Sequence, residues 1–484
     1  MPTRQIYVLS PKELSPETIA VAFAKTSRSP ESFREIASEL SDESSARFHE
    51  KWVVGYGHAS VAEHAVLHLA FENVSRLAVE SIESNRLASY TEKSTRYQKW
   101  GSQDFFIPPE LEHHPLREEY ITACRFLFAT YAQSLKPVRK LIEAHTPMRP
   151  NDTEESYDRR IRSQYVDSCR FLLPAASLAN LGMTANARVL ENTIRKLLSH
   201  PLAEVRQVGE EIKQVAQAET PTLVKYADPL PHLASAYQAF NSRTSSTGVD
   251  GDWCQLVDYD RDGETHLLAA VLYRFGDMPY ESALQKVCSA SEAERAQLAE
   301  DLLGKLSRYD IPLRELEYAS YTFDLVMDQG AYAEFKRHRM MTQTSQALTT
   351  RLGYSLPAQM NAAGFDEQYH LAMQTATNVY EKLAEWNPHV ASYVVPNGFN
   401  RRVLCTLNLR EAYHFCQLRS AANAHYSIRR VALRMAEQIQ MVHPLLSKYL
   451  HLPKDETWQS IEREHFTPRE TSKQTTVHPK KNRQ

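Results

Sequence analysis

Four potential cations stand side by side in the second half of the chain. The run FKRHRMMTQTSQ, residues 335–346, contains Lys336, Arg337, His338 and Arg339, followed by a row of hydroxyl and amide side chains. Planar guanidinium groups suit phosphate oxygens, carboxylates and flat ring carbonyls. Successive residues of a helix point about 100° apart, so the whole run cannot serve one face. The pattern indicates either a polar ligand site or a solvated basic turn.

A second polar stretch, ESIESNRLASYTEKSTRY, covers residues 80–97 in the first half. Its side chains Arg86, Glu92, Ser94 and Arg96 could surround a polar ligand with both donors and acceptors. A Ser-x-Arg pair can hold a phosphate through its hydroxyl and its guanidinium together. The same composition is typical of an exposed, charged helix end, and this interpretation stays open.

The run GYGHASVAEH, residues 55–64, combines glycines with two histidines and a glutamate. His58, Glu63 and His64 are metal-ligand types, but they lack a third well-placed ligand and do not form HExxH. We therefore predict no metal site. Ser60 followed by Glu63 fits a capping box that opens a helix.

A further polar series lies near the C-terminal end. Arg410 and His414 are four residues apart, so they share one helical face, and Arg419 follows two and a half turns after Arg410. Asn408 precedes them. An amphipathic helix with one wet face also explains this series.

Composition narrows the classes of function. The net charge of −3 gives no overall attraction to nucleic acid or anionic membranes. No apolar run approaches the roughly 18 residues of a membrane span, and no secretory signal is evident. The six cysteines form no CxxC pair, which is typical of reduced thiols. We expect a cytoplasmic protein with neither a membrane nor a nucleic-acid partner.

The chain contains a weak internal repeat. Pro174 stands twelve positions before Asn186, and Pro396 stands twelve before Asn408. Each pair leads into helical periodicity. Upstream, RLASYTEKSTRY has its counterpart in RMMTQTSQALTTRLGY. The upstream segments start at Arg86 and Arg339, which are 253 residues apart, whereas Asn186 and Asn408 of the downstream segments are 222 residues apart. The first half therefore has about 31 extra residues between its two segments, which we place within 101–160.

Strand signals are short and helical patterns dominate. Alternating apolar residues occur in AVLHLAFENVS and in SYTFDLVMD, and each stretch leads into a helical segment. We predict an α+β fold with two tandem domains and a small sheet in each. The predicted boundaries are 1–228 for the first domain, 229–252 for a linker, 253–465 for the second domain and 466–484 for a disordered basic tail.

Taken together, these motifs resemble the flavin-dependent thymidylate synthase family. The family pattern runs GHxSxxEH, then RHR with a following Glu-x-Ser-x-Arg-Tyr, an Ala-Arg segment, an Asn-x-Arg helix and a final arginine. The resemblance covers roughly residues 5–225 and 255–450. It implies a tandem fusion of two diverged domains of this family.

Each half departs from the family pattern in a different place. In the first half Ser84-Asn85-Arg86 replaces RHR and Leu197 replaces the final arginine, whereas Glu92, Ser94 and Arg96 are kept and Arg170 fills the Ala-Arg position. The second half keeps Arg337-His338-Arg339, Asn408, Arg410 and Arg419. It has lost the other set, at Ser345, Ala347, Thr349 and Ser392.

In the family the nucleotide site lies between subunits, so the two halves complement each other. The resemblance implies reductive methylation of dUMP to dTMP, with methylenetetrahydrofolate as the carbon donor and FAD reduced by NADPH as the hydride donor. It also implies a homodimer that forms a pseudo-tetramer with two competent and two silent sites.

The resemblance assigns roles to individual residues. The first domain would supply nucleotide-side residues and the second the FAD-side residues. Arg419 and His58 are the expected catalytic residues. The expected dUMP-binding residues are Arg337, Glu92, Ser94, Arg96, Arg170 and Arg419, and the expected FAD-binding residues are Ser60, Glu63, Arg337, His338, Arg339, Asn408, Arg410 and His414.

One departure favours a different function. Glu334 stands where the family usually has Gln, and it would place negative charge near the nucleotide. A like-charge pair about 4 Å apart costs on the order of 4 kcal/mol at an effective dielectric of about 20. The alternative is a non-catalytic flavin- or nucleotide-binding paralogue of the family.

Overall fold

The computed structural model describes residues 5–95, 100–241 and 252–468. The first half contains helices α1 (Pro16–Lys25), α2 (Phe33–Ser38), α3 (Asp42–Phe48), α4 (Arg76–Glu83), α5 (Arg117–His145), α6 (Glu154–Cys169), α7 (Ala187–Leu198) and α8 (Ala203–Glu219). Helix α9 (Pro231–Asn241) follows. The first-half strands are β1 (Val66–Ser75), β2 (Ser89–Glu92) and β3 (Leu178–Asn186).

The second half repeats this order with additional elements. Its helices are α10 (Gly263–Phe275), α11 (Tyr280–Ser289), α12 (Glu292–Leu303), α13 (Gln329–Phe335), α14 (Ala358–Ala362), α15 (Asp366–Trp386), α16 (Pro388–Ala391), α17 (Leu409–Arg419), α18 (Tyr426–Val442), α19 (Pro444–Ser447) and α20 (Trp458–His465). Its strands are β4 (Cys254–Tyr259), β5 (Ser320–Asp328), β6 (Thr342–Ser345) and β7 (Asn400–Asn408). The prediction of a helix-rich α+β fold with one small sheet per half is confirmed.

The two antiparallel sheets share one register. The first has the strand order β1-β3-β2 and the second β4-β5-β7-β6. Ser89 pairs with Thr184 in the first sheet, and Thr342 pairs with Thr406 in the second, at the offsets of 253 and 222 that the sequence repeat gives. An irregularity between Phe71 and Val74 interrupts β1, while β5 runs without one.

The same local device starts the helix after the central strand in each half. The Asn186 side chain accepts a hydrogen bond from the Val189 N–H at 3.0 Å, and the Asn408 side chain accepts one from the Glu411 N–H at 2.9 Å. Each asparagine therefore caps its helix, α7 or α17. The apolar residues Leu190, Ile194 and Leu197, which recur at helical spacing in α7, are all buried.

The halves meet through equivalent backbone segments. Pro174 and Pro396 form an antiparallel bridge. The Ala175 N–H donates to the Val395 carbonyl at 2.9 Å, and the Asn397 N–H donates to the Leu173 carbonyl at 3.0 Å. The repeat offset of 222 residues relates these two hydrogen bonds to each other. The junction is therefore an isologous contact within a single chain, of the kind that two-fold dimers form between chains.

The hydrophobic core of the first half continues into the second. Tyr369, Tyr393 and Phe399 of the second half belong to the same buried cluster as Tyr120 and Phe171 of the first half. Burying one such aromatic side chain stabilises the fold by roughly 1.5–3 kcal/mol. A second cluster lies entirely in the second half, around its sheet and α18.

The structure corrects three details of the sequence predictions. The segment at Ala59–His64 is a short 3-10 turn, and its first position has no side-chain cap, so the predicted capping box is wrong. The predicted linker contains helix α9, and residues 242–251 lie outside the described part. Phe466 is buried and bridges to Pro357, so the predicted tail cannot begin there; residues 469–484 are not described.

Most of the extra length of the first half is helical. Helix α5 has 29 residues where α15 has 21, and α6 has 16 where α16 has four. Among the described residues, no helix is long and apolar enough to cross a membrane.

Close packing at the junction predicts that Gly398 cannot be replaced by a residue with a side chain without loss of stability. The Gly398 N–H donates to the Phe171 carbonyl at 2.9 Å, and a Cβ at Gly398 would lie 2.5 Å from the Tyr369 hydroxyl. That hydroxyl is held in place by a 2.7 Å bond to the Ser355 carbonyl. We expect Gly398→Ala to reduce the free energy of unfolding in urea by about 1–3 kcal/mol through overpacking.

The matched control is Gly182→Ala in β3. A Cβ at Gly182 meets only the Thr91 carbonyl oxygen, at 3.9 Å. Equal reductions in the free energy of unfolding of the two variants would show that the junction is not tightly packed.

Candidate functional site

A cavity of about 230 Å³ opens where the two halves meet. We call it the junction cavity. The end of β2, the turn before β3, helix α13 and the end of α17 surround it. Its charged and polar lining comprises Arg76, Glu92, Lys93, Ser94, Thr95, Arg170, Glu334, Arg337, Asn397, Arg419 and Asn423. Five of the residues expected from sequence to bind dUMP therefore line one cavity within one chain, and Arg96, the sixth, lies outside the described residues.

Glu334 bridges arginines of the two halves. Its Oε2 accepts from Arg419 Nη1 at 3.0 Å, and its Oε1 accepts from Arg170 Nη2 at 3.3 Å. These side chains expose less than a fifth of their surface. The single carboxylate thus pairs with both guanidinium groups and offsets part of the positive charge that would otherwise face an anionic ligand.

Glu92 anchors the opposite wall. Its Oε1 lies 2.9 Å from Arg76 Nη1, and its Oε2 lies 2.9 Å from Arg337 Nη2. Burial opposes ionisation of this carboxyl, but the charges of Arg76, Lys336 and Arg337 outweigh it and lower the pKa of Glu92 to about 2. Arg337 is therefore tied to the first half, although it belongs to the second.

His338 fixes the direction of Arg419. Burial and the neighbouring Arg419 charge hold the pKa of His338 well below its usual range, so the ring is neutral. The Arg419 Nε–H then donates to His338 Nε2 at 2.9 Å, while the ring Nδ1–H donates to Glu411 at 3.1 Å. With its Nε held, the guanidinium directs Nη1 towards Glu334 in the cavity.

The junction itself positions Arg170. This residue follows the last residue of α6 and opens the short turn that leads into the paired segments. The Asn397 amide donates to the Arg170 carbonyl at 3.1 Å, and Arg170 Nη1 donates to the Thr95 hydroxyl at 3.1 Å. The guanidinium is therefore held by groups from both halves.

The residues that both halves retain have structural contacts. Arg410 Nη1 donates to Glu317 at 2.9 Å, and the equivalent Arg188 pairs with Glu63 in the first half. These ion pairs and the helix cap of Asn408 explain why both halves keep the Asn-x-Arg motif and the glutamate, and no ligand is needed for this explanation. Neither Asn408 nor Arg410 lines the junction cavity.

Other expected residues lie elsewhere in the chain. His58 and Ser60 line a separate cavity with Trp52. The Arg339 guanidinium lies 4.6 Å from the centre of the Tyr90 ring, outside the junction cavity. His414 packs 5.4 Å from the His338 ring, behind the cavity wall. Of the expected FAD-binding residues, only Arg337 lines the junction cavity.

Two lining residues were missed from sequence. Arg76, the first residue of α4, pairs with Glu92, and Asn397 holds the Arg170 turn. Comparison of the repeats could have revealed Arg76, because the equivalent second-half position, Gln329, carries no charge. Only the half that keeps the acidic Glu92 has a cation there.

The equivalent place on the other side of the junction holds a second, larger cavity of about 680 Å³. It is lined by the residues that replace the family pattern, Leu197, Ser345, Ala347 and Ser392. The second cavity thus combines these replaced positions with Arg339 of the retained set.

Neither metal nor thiol chemistry has a visible centre in the described part of the chain. No group of three or more His, Cys, Asp or Glu side chains is placed to hold a metal ion there. Burial raises the pKa of the Cys124, Cys169, Cys405 and Cys416 thiols to about 12, so these thiols are poor nucleophiles.

The charge network around Glu92 predicts acid sensitivity. A carboxyl whose pKa falls from 4.5 to about 2 on folding contributes its stability above about pH 4.5 and loses it as the pH falls towards 2. We expect wild type to be more stable than Glu92→Gln at pH 6, and the gap to shrink by about 2 kcal/mol at pH 3. Urea unfolding at pH 6 and pH 3 measures this difference in the free energy of unfolding. Glu118→Gln, which replaces an exposed carboxylate, is the control. A gap that does not change with pH would contradict the assigned network.

Comparisons with known proteins agree with the repeated architecture. The sequence pattern of the thymidylate synthase complementing protein family matches residues 10–222 and again 255–445. A UPF0159 protein from Chlamydia muridarum is 32% identical over 435 residues, covering 85% of this chain and 82% of that protein. A UPF0159 protein from Thermoplasma acidophilum is 27% identical and covers 83% of this chain and 87% of that protein.

A shorter relative matches less than half of the chain. A flavin-dependent thymidylate synthase from Clostridium tetani is 29% identical over 217 residues, which is 44% of this chain and 83% of that protein. Such a relative has the length of one repeat, whereas the UPF0159 proteins match both. The chain belongs to the thymidylate synthase complementing protein family, as a tandem arrangement of two domains of that family.

Proposed function

We propose that the junction cavity binds dUMP and that the protein is a flavin-dependent thymidylate synthase whose nucleotide site is built by both halves of one chain. The observation that carries the proposal is the convergence of Glu92, Ser94 and Arg170 with Arg337 and Arg419 on one cavity. Each half lacks what the other supplies. Family membership supports the class of reaction, and the Clostridium tetani relative bears the name of this activity.

The proposed reaction converts dUMP, methylenetetrahydrofolate, NADPH and a proton into dTMP, tetrahydrofolate and NADP⁺. Reduced FAD supplies the hydride when bound. A cysteine nucleophile is not required in this account, which agrees with the raised pKa of the buried thiols.

The arginines of the junction cavity suit a nucleotide monophosphate. In the proposed complex, Arg170 and Ser94 bind the phosphate, together with Arg96, which lies two residues after Ser94 in the sequence. Arg419 donates towards the uracil carbonyls and stabilises negative charge on the ring, with neutral His338 as its positioning residue. Arg337, held by Glu92, completes the wall.

Within the described part of one chain, the residues expected to bind FAD do not meet in one cavity. His338 is buried against Arg419 and Glu411, Arg410 is paired with Glu317, and Ser60 lines a different cavity. We therefore place the flavin site at an interface with a second copy of the chain, in the proposed homodimeric pseudo-tetramer. The expected result is a flavin absorption spectrum from purified dimer, and a flavin-free dimer would contradict this part of the proposal.

A second function has one observation in its favour. Glu334 already forms ion pairs with Arg170 and Arg419, as expected of a non-catalytic paralogue whose nucleotide site is closed by its own carboxylate. The synthase proposal instead requires the incoming nucleotide to displace Glu334. The two functions differ in whether dUMP binds and is turned over.

Glu334 is therefore expected to limit nucleotide affinity. Glu334→Gln removes the carboxylate that competes with the dUMP phosphate, and we expect dUMP to bind about tenfold more tightly, as measured by calorimetry. Glu315→Gln, which removes an equivalent partner of Arg274 elsewhere, should leave the affinity unchanged. Unchanged affinity in Glu334→Gln would exclude displacement of this carboxylate by the nucleotide.

Activity tests the proposal directly. We expect the chain to release tritium from 5-tritiated dUMP and to support growth of a thymidine-requiring bacterial strain. Arg419→Ala and Arg170→Ala should each lower turnover at least about a hundredfold, because each removes a charged donor facing the reacting nucleotide.

The matched control is Arg402→Ala on β7. Arg402 contacts Asp324 at 3.4 Å and does not line the junction cavity, so its loss should leave turnover near wild type. Tritium release that survives in Arg419→Ala or Arg170→Ala would refute the composite site.

A further inference from the structure

The second cavity has the size of a small-molecule site. Its volume of about 680 Å³ falls within the range of roughly 300–1,000 Å³ that is typical of ligand pockets. Helices α4, α7 and α13 line it together with β6 and the segment after β6. Leu233 and Tyr237 of α9, which connects the two halves, complete the wall.

Three cations at this cavity contact neutral groups. Arg86 donates to the Met341 carbonyl at 2.9 Å, and Lys196 donates to the Asn85 side chain at 3.1 Å. Arg339 lies over the Tyr90 ring. Within residues 5–95, 100–241 and 252–468, none of the three forms an ion pair with a carboxylate.

The acidic side chains nearby already have partners. Glu80, which lines the cavity, pairs with Arg401 at 2.7 Å, and Glu83 pairs with Lys336 at 2.9 Å. Burial and the charge of Arg86 lower the pKa of Lys196. An anion placed between Arg86, Lys196 and Arg339 would offset this concentration of positive charge.

Another part of the lining is apolar or neutral. Leu197 stands where the other repeat has Arg419, and Leu202 and Leu233 lie in the same wall. Burial lowers the pKa of His200 to about 4, so this ring is uncharged at neutral pH, and Tyr237 packs edge-on against it with the ring centres 5.8 Å apart. Such a wall suits a flat organic group.

We infer that the second cavity is a distinct ligand site for a phosphate monoester that carries a flat ring, as nucleoside 5′-monophosphates do. The phosphate contacts Arg86, Lys196 and Arg339, and the ring packs among Leu197, His200 and Tyr237. Leu197 occupies the position that Arg419 holds in the other repeat, so we expect the ligand to bind here without being transformed. This site does not depend on the activity proposed for the junction cavity.

Calorimetric titration of the full chain with adenosine 5′-monophosphate tests the inference. We expect it to bind at least about tenfold more tightly than inorganic phosphate or adenosine alone, because only the intact molecule contacts both parts of the cavity. Arg86→Gln and Lys196→Met should each weaken binding about tenfold or more. Arg86 is solvent-exposed, so its replacement leaves the fold intact.

Two controls locate the binding. Lys140→Met replaces an exposed lysine of α5 and should bind like wild type. Arg419→Met alters the junction cavity and should also bind like wild type, which separates this site from the proposed dUMP site. The inference is overturned if the nucleotide binds no more tightly than phosphate, if Arg86→Gln and Lys196→Met both bind normally, or if Arg419→Met abolishes binding.

Discussion

The structure depends on the antiparallel pairing of two equivalent backbone segments around Pro174 and Pro396. Because each segment pairs with its own counterpart, the contact places one half against the other in a single symmetric way. Arg170 stands at the entrance to one segment, and the Gly330 N–H donates to the Asn397 carbonyl of the other at 3.0 Å. The pairing thus brings the start of α13 and the Arg170 turn to the same cavity, where Glu334 closes the ion-pair bridge.

The cationic run of the second half then serves both sides of the junction. Arg337 faces the junction cavity and pairs with Glu92, whereas Lys336 and Arg339 line the second cavity. His338 between them is buried and neutral and orients Arg419. The two cavities therefore share one short, rigidly held segment. Divergence of the repeats has left carboxylates and arginines at the junction cavity. The second cavity has apolar residues beside Arg86, Lys196 and Arg339, which form no ion pair within the described residues.

Sequence reasoning predicted the repeat and the fold class better than it predicted which polar residues would be buried in structural contacts. Alternation in SYTFDLVMD predicted β5, because a half-buried strand leaves a local periodicity in the sequence. The common register of the two sheets was not predicted, although it follows the offsets of 253 and 222 between the repeated segments. The roles of Asn408 and Glu63 could not be separated from ligand binding. A helix cap and an ion pair need the same polar side chains as a ligand site, and only the structure shows which partner each side chain contacts. Arg76 was missed because its partner Glu92 is distant in sequence.

The central claim is that one chain contains both contributors to its nucleotide site, and mixed dimers test it most directly. A chain with Arg419→Ala and a differently tagged chain with Arg170→Ala can be co-expressed, purified through both tags and assayed for tritium release from dUMP. Every junction cavity in such dimers lacks one arginine if the site forms within a chain, so turnover should stay at the level of the single variants. Recovery of roughly a quarter or more of wild-type turnover would place the site between chains and contradict the account.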